Sequence, residues 1–552
     1  MAQEAFVSQF DLLIGGQPAP PELMRAITEF IVDDSLYLPD MFTLRIHDGN
    51  LQWVDSDLLA VGVEIQIQAT AASHGTQSGA TDELIKGEIT SLEPIFDRAG
   101  GSVLLVRGYD RSHRLHRGKK NRSFLNSTDS EIAQKVAREV KMKAEVDPTS
   151  VVHEYVFQDN QTDLEFLQAR AQRIGYEVFV EDKTLYFRQR QDRQAAGPEL
   201  TWGQNLRDFR PRLTTMTQVD EVIVRGWDPK TKQEIVSRVR DGQISPEVGL
   251  GASGGELTQR AFGVAAQTIL VNRPVSNIDE ANAMAQALCD EISGDFIQAE
   301  GACFGDPRVQ AGRTVTISGV GVRFTGQYFV TSATHIYNEA GYETLFNISG
   351  RHPDTLINLL EPENGASQGW GIAIGLITNN KDPEGLGRVK VKFPWLSEHE
   401  ESTWARMSMP MAGPDKGLYC LPEINDEVLL AFEHGDIDHP YVLGTLWNGK
   451  DKPPQRNDQV VGRDGKVNLR ILRSRSGHEI ILDDTAGQEK IIIRDKTGQN
   501  LIEINSAQNS MAIRVKGKLN LESDGEIVLK GRKVTIEGSA QVDVKSARIN
   551  LN

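Results

Sequence analysis

The chain has 552 residues, 39% hydrophobic and 25% charged, with 50 glycines and a formal net charge of −17. That length is too great for one ordinary core and predicts about three or four domains, while the composition excludes global disorder and no apolar run approaches the ~20 residues that span a bilayer. Three cysteines without a CxxC pair (Cys289, Cys303, Cys420) exclude a disulfide scaffold or cysteine zinc site, and the acidic body argues against general nucleic-acid binding.

The opening MAQEAFVSQFDLL has no basic n-region and carries Glu4 and Asp11 where a signal peptide is apolar. Synthesis in the cytoplasm without a signal peptide is therefore expected. Residues 1–364 read as β-rich α+β. Alternating stretches at Phe42–Ile46 and Val61–Ile67 predict half-buried strands. Thr128-Asp129-Ser130-Glu131 has capping-box form, with Ile132, Val136 and Val140 following on one face. Thr162-Asp163-Leu164-Glu165 repeats the cap. Leu164, Leu167, Ala171 and Ile174 then make the buried stripe, and Gly175 supplies the stop. A third helix is predicted from Asp279 to about Ile292, with strands at Arg313–Ile317 and Gln327–Ser332 after it. Helices are too few for βαβ units, so barrels or small sheets are expected rather than a parallel sheet.

A polar linker follows at Glu361–Ser367. Residues 371–450 are then punctuated by the turns Asp382–Gly385, Ala412–Asp415 and His434–Asp436. About 80 residues with five or six short strands suit a small closed barrel such as an OB-fold. Residues 451–478, with Pro453-Pro454, read as linker and neck.

From residue 479 to 552 the dominant signal is repetition. Apolar-alternating segments begin at Ile491, Leu501, Met511, Leu519, Ile527, Val534, Val542 and Ile549, spaced by ten, ten, eight, eight, seven, eight and seven residues. A single-chain β-helix needs roughly 20 residues per rung, and this period supplies one strand and one corner. The missing sides must come from other chains. An intertwined triangular prism of three copies closes the structure and removes its open edges. From Arg470 onward 14 basic residues stand against 11 acidic ones, so this end is mildly positive.

With these elements in place, TNNKDPEGLGRVKVKFPWL (Thr378–Leu396), STWARM, LPEINDEVLLAFEHGD and PYVLGTLWNGKDKPP resemble the OB-fold of VgrG and phage spike proteins. RSRSGHEIILDDTAGQEKIIIRD (Arg473–Asp495) is similar to the neck before that family's needle. GYDRSHRLHRGKKNRSF and TDLEFLQARAQRIGYEV are similar to the phage hub, or late-control, half. In that family the hub trimer adapts a sixfold tube to a threefold spike in a contractile injection machine. The resemblance thus implies a mainly β fold: an α+β hub with barrels, an OB-fold barrel and an intertwined trimeric β-helix needle. It implies a homotrimer whose partners are inner-tube and tube-initiator proteins, baseplate wedge proteins, a PAAR-like tip protein at the C-terminus and cargo effectors. No nucleic acid is expected, and the target membrane is met only mechanically. No catalytic, cofactor or metal residue is implied. The residues expected to act do so through shape: Val528, Val534, Ile536, Val542 and Val544 in the prism, with Ile549 and Leu551 at the tip contact. In the barrel, Gly385 and Gly387 permit the tight turn, and Pro394 and Trp395 fit the strand end. A phage-tail-like particle acting outside the cell is the first reading, because the needle is short and carries no fused effector. A type VI secretion VgrG and a myophage spike are the alternatives.

Four chemical readings compete. Glu433–His439 holds metal-ligand types, but no fourth ligand is identifiable and adjacent polar residues in a turn are ordinarily solvated. Gly251-Ala252-Ser253-Gly254-Gly255 fits G-x-S-x-G, but it lies in a glycine-rich loop rather than between strand and helix. Arg111–Arg122 is rich in Arg, Lys and His. It could grip phosphate, but reads better as a subunit contact. A lysozyme domain between barrel and needle would need its own pair of carboxylates, and the stretch from Lys450 to Ser476 leaves no room for one.

Overall fold

A computed structural model of the chain describes residues 9–71, 79–97, 101–189, 196–228, 231, 233–240, 242, 247–249, 251–271, 273–275, 277–350, 371–394 and 400–550. Two compact units are present, Met1–Leu446 and Trp447–Asn552.

Eleven strands of the first unit form one antiparallel sheet. Its order runs from Leu206–Leu213 through Ile297–Phe304, Gly341–Ile348 and Ser332–Asn338 to Ile27–Ser35 and Met41–His47. Gly101–Asp110, Thr81–Asp97, Glu64–Thr70, Gln9–Ile14 and Gln17–Pro18 complete it. The seam between Ile27–Ser35 and Ser332–Asn338 sets Ile31 opposite Ile336, and Thr334 Oγ1 donates to Asp33 at 2.8 Å. Alternation along these strands buries every second side chain. One core gathers Phe30, Phe42, Leu44, Ile65, Ile67 and Val106. A second gathers Ile297, Val315, Tyr328, Val330 and Phe346. The expectation of barrels or small sheets missed this breadth, because the seam joins segments about 300 residues apart. The strand expected from Val61 starts instead at Glu64. Val61 is 65% exposed in a turn, beside Gly62 at φ +92°.

Both predicted capping boxes form. Thr128 Oγ1 accepts from Glu131 N at 3.2 Å while Glu131 accepts from Thr128 N at 2.9 Å, opening the helix Asp129–Glu139. Thr162 and Glu165 do the same at 3.2 and 2.8 Å for Asp163–Ile174, which Gly175 ends at φ +74°. Each box satisfies two otherwise unpaired helix-end N–H groups. Leu164, Leu167 and Ala171 are buried as the stripe requires, joining Phe124, Ile132, Val136 and Phe187 in one core. The third helix spans Ile278–Gly294 and covers the sheet of Glu221–Asp228, Gln233–Val239 and Gln267–Leu270 through Ala281, Met284 and Ala285. Among the described residues no helix is long and apolar enough to cross a membrane.

Candidate functional site

The barrel comes first. Its sheet runs Lys390–Lys392, Ile372–Asn379, Glu427–Phe432, Pro440–Thr445, Arg406–Met407. A bridge between Val389 and Ala405, with N–H···O distances of 3.0 and 2.7 Å, joins its two ends into a closed barrel. Closure removes the free edge. Inside lie Ile377, Val389, Val391, Phe393, Val428, Leu430 and Val442. The turn Asp382–Arg388 is built on one carboxylate. Asp382 accepts from the backbone N–H of Glu384, Leu386 and Arg388 at 3.1, 2.9 and 3.2 Å, and from the Arg388 guanidinium at 3.1 and 2.8 Å. That guanidinium, before any other cause, holds the carboxyl well below the usual range. Gly385 and Gly387 sit at φ +67° and +71°, the left-handed region that favours glycine. Pro394 is exposed at the strand end, and Trp395 lies outside the described residues.

A joint between barrel and hub comes next. The hub strand Val152–Gln161 pairs with Lys120–Thr128 and sends Tyr155 and Phe157 into the barrel core. Phe157 N donates to Asp438 at 3.0 Å, and Ser123 Oγ hydrogen-bonds Glu400. The Asp438 N–H in turn donates to Asp436 at 3.0 Å, and Asp436 pairs with His439 Nδ1 at 3.2 Å. Burial above all, with Asp436 beside it, pushes Asp438 up to about 7. Burial alone would raise Asp436, but its His439 partner prevails and brings it down to about 2. Burial, the largest single cause, would lower His439, but the Asp436 hydrogen bond and the charges of Asp436 and Asp438 together raise it. Behind the joint, Asp129 pairs with Arg170 at 2.6 Å and with His153 at 3.1 Å.

The second unit holds a five-stranded antiparallel meander: Leu469–Arg473, Glu479–Asp483, Lys490–Arg494, Leu501–Asn505 and Ser510–Arg514. Two rows of its register share a face. Leu472, Ile480, Ile493, Ile502 and Ile513 stand opposite one another, as do Arg470, Leu482, Ile491, Ile504 and Met511. Nine of these ten are apolar, and eight of the nine are more than 40% exposed. The other face is mixed: its outer rows carry Asp483, Lys490, Asn505 and Ser510 beside Leu469, and Arg473, Glu479, Arg494 and Arg514 beside Leu501, while the row between them is Ile471, Ile481, Ile492, Glu503 and Ala512. An apolar face this continuous marks an interaction surface. The meander begins at Leu469, inside the stretch read as linker and neck. Past Arg514 the remaining repeats form no strand ladder among the described residues. There Val528 is 66% exposed, and Val534, Ile536, Val542, Val544 and Ile549 are exposed as well. Leu551 and the linker 361–367 lie outside the described residues.

Three sequence candidates end elsewhere than expected. Ser253 caps a helix, Gly254–Phe262, in a third capping box with Glu256. The glycine-rich stretch is thus not a loop, and S-G-G-E was the overlooked signal. Part of the basic run is neutralised within the chain, while Arg117 and Lys119 are exposed. Arg111 pairs with Glu64, Glu88 and Asp182. Lys120 and Arg122 reach Asp163 at 2.7 and 2.9 Å. Glu433–His439 is not simply a solvated turn, because Asp436, Asp438 and His439 take part in the joint. Among the described residues no three His, Cys, Asp or Glu side chains are grouped to hold a metal ion. Tyr155 and Phe157 were missed altogether. Their signal was the run Tyr155-Val156-Phe157, consecutive apolar positions that belong to a strand covered on both faces.

Comparison with known proteins follows this layout. Residues 41–339 match the family described as the Alg8 N-terminal domain, and residues 373–447 match the type VI secretion system/phage-baseplate injector OB domain. The actin cross-linking toxin VgrG1 of Vibrio cholerae is 30% identical over 174 residues, 30% of this chain and 15% of that protein. The type VI secretion system spike protein VgrG1a of Pseudomonas aeruginosa is 32% identical over 127 residues, 21% of this chain and 19% of that protein. The matched part thus spans less than a fifth of either curated relative. Among solved structures, a chain of the lidded Francisella PdpA–VgrG complex superposes with a TM-score of 0.55 at 10% identity, covering 93% of this chain and 81% of that one. A lidless PdpA–VgrG complex gives 0.51 at 9%, covering 92% and 98%. At such identity the likeness speaks for the fold alone.

Proposed function

This chain belongs to the Alg8 N-terminal-domain family and is a VgrG-like hub-and-spike protein, and from that premise we propose that it works as a homotrimer at the centre of a contractile injection baseplate. The observation that carries the reading is the apolar face of the meander. Eight large side chains at 41–63% exposure on one face need covering, and two further copies wrapped about a common axis supply it. The extended repeats past Arg514 fit the same closure. Each copy contributes one strand per side, with Val528, Val534, Ile536, Val542 and Val544 turned inward. The hub receives the inner tube through tube-initiator proteins, and baseplate wedge proteins hold it from outside. A PAAR-like cone is the partner proposed for Ile549 and Leu551. Cargo effectors travel with the spike.

Its work is mechanical rather than enzymatic, and the target envelope is pierced, not modified. Assembled in the cytoplasm, the particle acts outside the cell or at the target envelope. Type VI secretion is the second reading, favoured by curated relatives that are spike proteins of that system. Image averaging of the purified protein by electron microscopy tests the reading. Threefold particles with a needle on the axis are expected, and single copies without symmetry would refute it. A peptidoglycan hydrolysis assay tests the mechanical part, with activity above background as the contrary result.

A further inference from the structure

A cleft of about 900 Å³ opens between the barrel and the hub's small sheet within the first unit. Its volume lies near the upper end for ligand-binding clefts. Three exposed arginines line it: Arg225 on the strand Glu221–Asp228, Arg273 shortly after Gln267–Leu270, and Arg406 on the barrel. Several other guanidiniums of the unit are held by carboxylates, as Arg111, Arg122, Arg170 and Arg388 are. These three have no carboxylate within ion-pairing distance among the described residues, and Arg406 instead lies over the Tyr441 ring at 5.6 Å. Trp227, 50% exposed, adds an apolar wall.

Two donors in the same cleft are also unsatisfied. Tyr155 Oη and Arg173 Nε are buried without a hydrogen-bond partner, although such groups are nearly always paired. Unpaired cations, orphan donors and an exposed indole together define what fits: an anion with acceptor oxygens and an apolar side chain. Glu154, Asp228, Glu234, Glu280, Glu433 and Asp438 also line the cleft, Glu280 paired with Arg173. That mixture suits separated carboxylates on a polypeptide and repels a continuous phosphate track.

We propose that this cleft binds an acidic polypeptide segment of a separate protein, with an aromatic residue set between its carboxylates. Arg225, Arg273 and Arg406 take the carboxylates in forked contacts, and Trp227 packs against the aromatic ring. Because the arginines come from both hub and barrel, the bound segment bridges the two and clamps their joint.

The test uses the full chain and a fluorescent peptide of about a dozen residues, Glu and Asp with a Trp at every fourth position, read by anisotropy. Saturable binding that weakens with salt is expected. Arg225→Gln with Arg406→Gln should weaken it by about tenfold or more, while Lys at both positions should recover part of the loss. Trp227→Ala should weaken binding without changing its salt dependence. These side chains are exposed, so unchanged melting temperatures will show that the variants fold. Equal binding of a Gln/Asn version of the peptide would overturn the proposal, as would unaltered binding by the arginine variants. Tighter binding of an oligothymidylate of matching length would assign the cleft to nucleic acid instead. Failure of the assembled protein to bind the peptide would mean that a neighbouring copy covers the cleft, and would equally overturn it.

Discussion

Asp438 shows how one side chain couples two parts of the molecule to pH. Its carboxyl titrates at about 7 in the folded chain and at about 3.9 when unfolded. A raised carboxyl favours folding fully below the unfolded value, and that contribution is lost as pH rises toward 7. His439 is also raised, so its contribution is lost as pH climbs through its folded value, above the ordinary 6.5. Asp436, held at about 2, acts oppositely and only in acid: its contribution is present above about 4 and lost as pH falls toward 2. The joint should therefore be firmer at pH 6 than at pH 8, seen as higher hydrogen-exchange protection around Tyr155–Gln158 after correction for the pH dependence of intrinsic exchange. Asp438→Asn removes one titration and should flatten that difference. Identical pH profiles for variant and parent would show that Asp438 does not govern the joint. A second residue-scale expectation concerns Gly385 at φ +67°. An added Cβ meets no atom within 4 Å there, so the cost of Gly385→Ala is backbone strain alone, about 1–2 kcal/mol. Thermal unfolding would read it, and an unchanged melting temperature would count against the strain.

At the scale of elements, the needle sheet sets an almost wholly apolar face against a mixed one, and each can be tested by itself. Ile493→Asp puts a carboxylate into the middle of the apolar face, and trimerisation would bury three of them without partners. Assembly should fail. Lys490→Glu lies in a polar outer row of the opposite face and should leave assembly intact, as measured by light scattering. Val528→Asp should block assembly like Ile493→Asp, because the proposed prism turns Val528 toward its axis. Intact trimers of Val528→Asp would mean that this residue points outward. Local elements were the legible part of the sequence. Thr128 with Glu131, and Thr162 with Glu165, announce helices within four residues, and Ile491–Ile493 announces a strand by its own pattern. What the pattern could not announce was pairing. Ile31 meets Ile336 and Phe157 meets Asp438 only through the folded chain, so neither the eleven-stranded sheet nor the barrel–hub joint was visible. Ser253 escaped for a different reason: Gly254 and Gly255 disguise a capping box as a loop.

For the whole molecule, the proposed role is that of a structural spike, and the physical signature behind the proposal is a broad apolar face exposed in the single copy. The turn at Asp382, the joint at Asp438 and the closed barrel give each copy a firm body. The repeats from Leu519 to Ile549, by contrast, form no ladder within one copy. In the proposed intertwined prism, partner strands supply their order. The closest test of that claim is the mass of the folded protein in solution. Sedimentation equilibrium should give about three times 61.1 kDa at every concentration where the protein stays folded. A stable, folded monomer of 61.1 kDa would contradict the account, because the exposed faces of the needle would then need no partner at all.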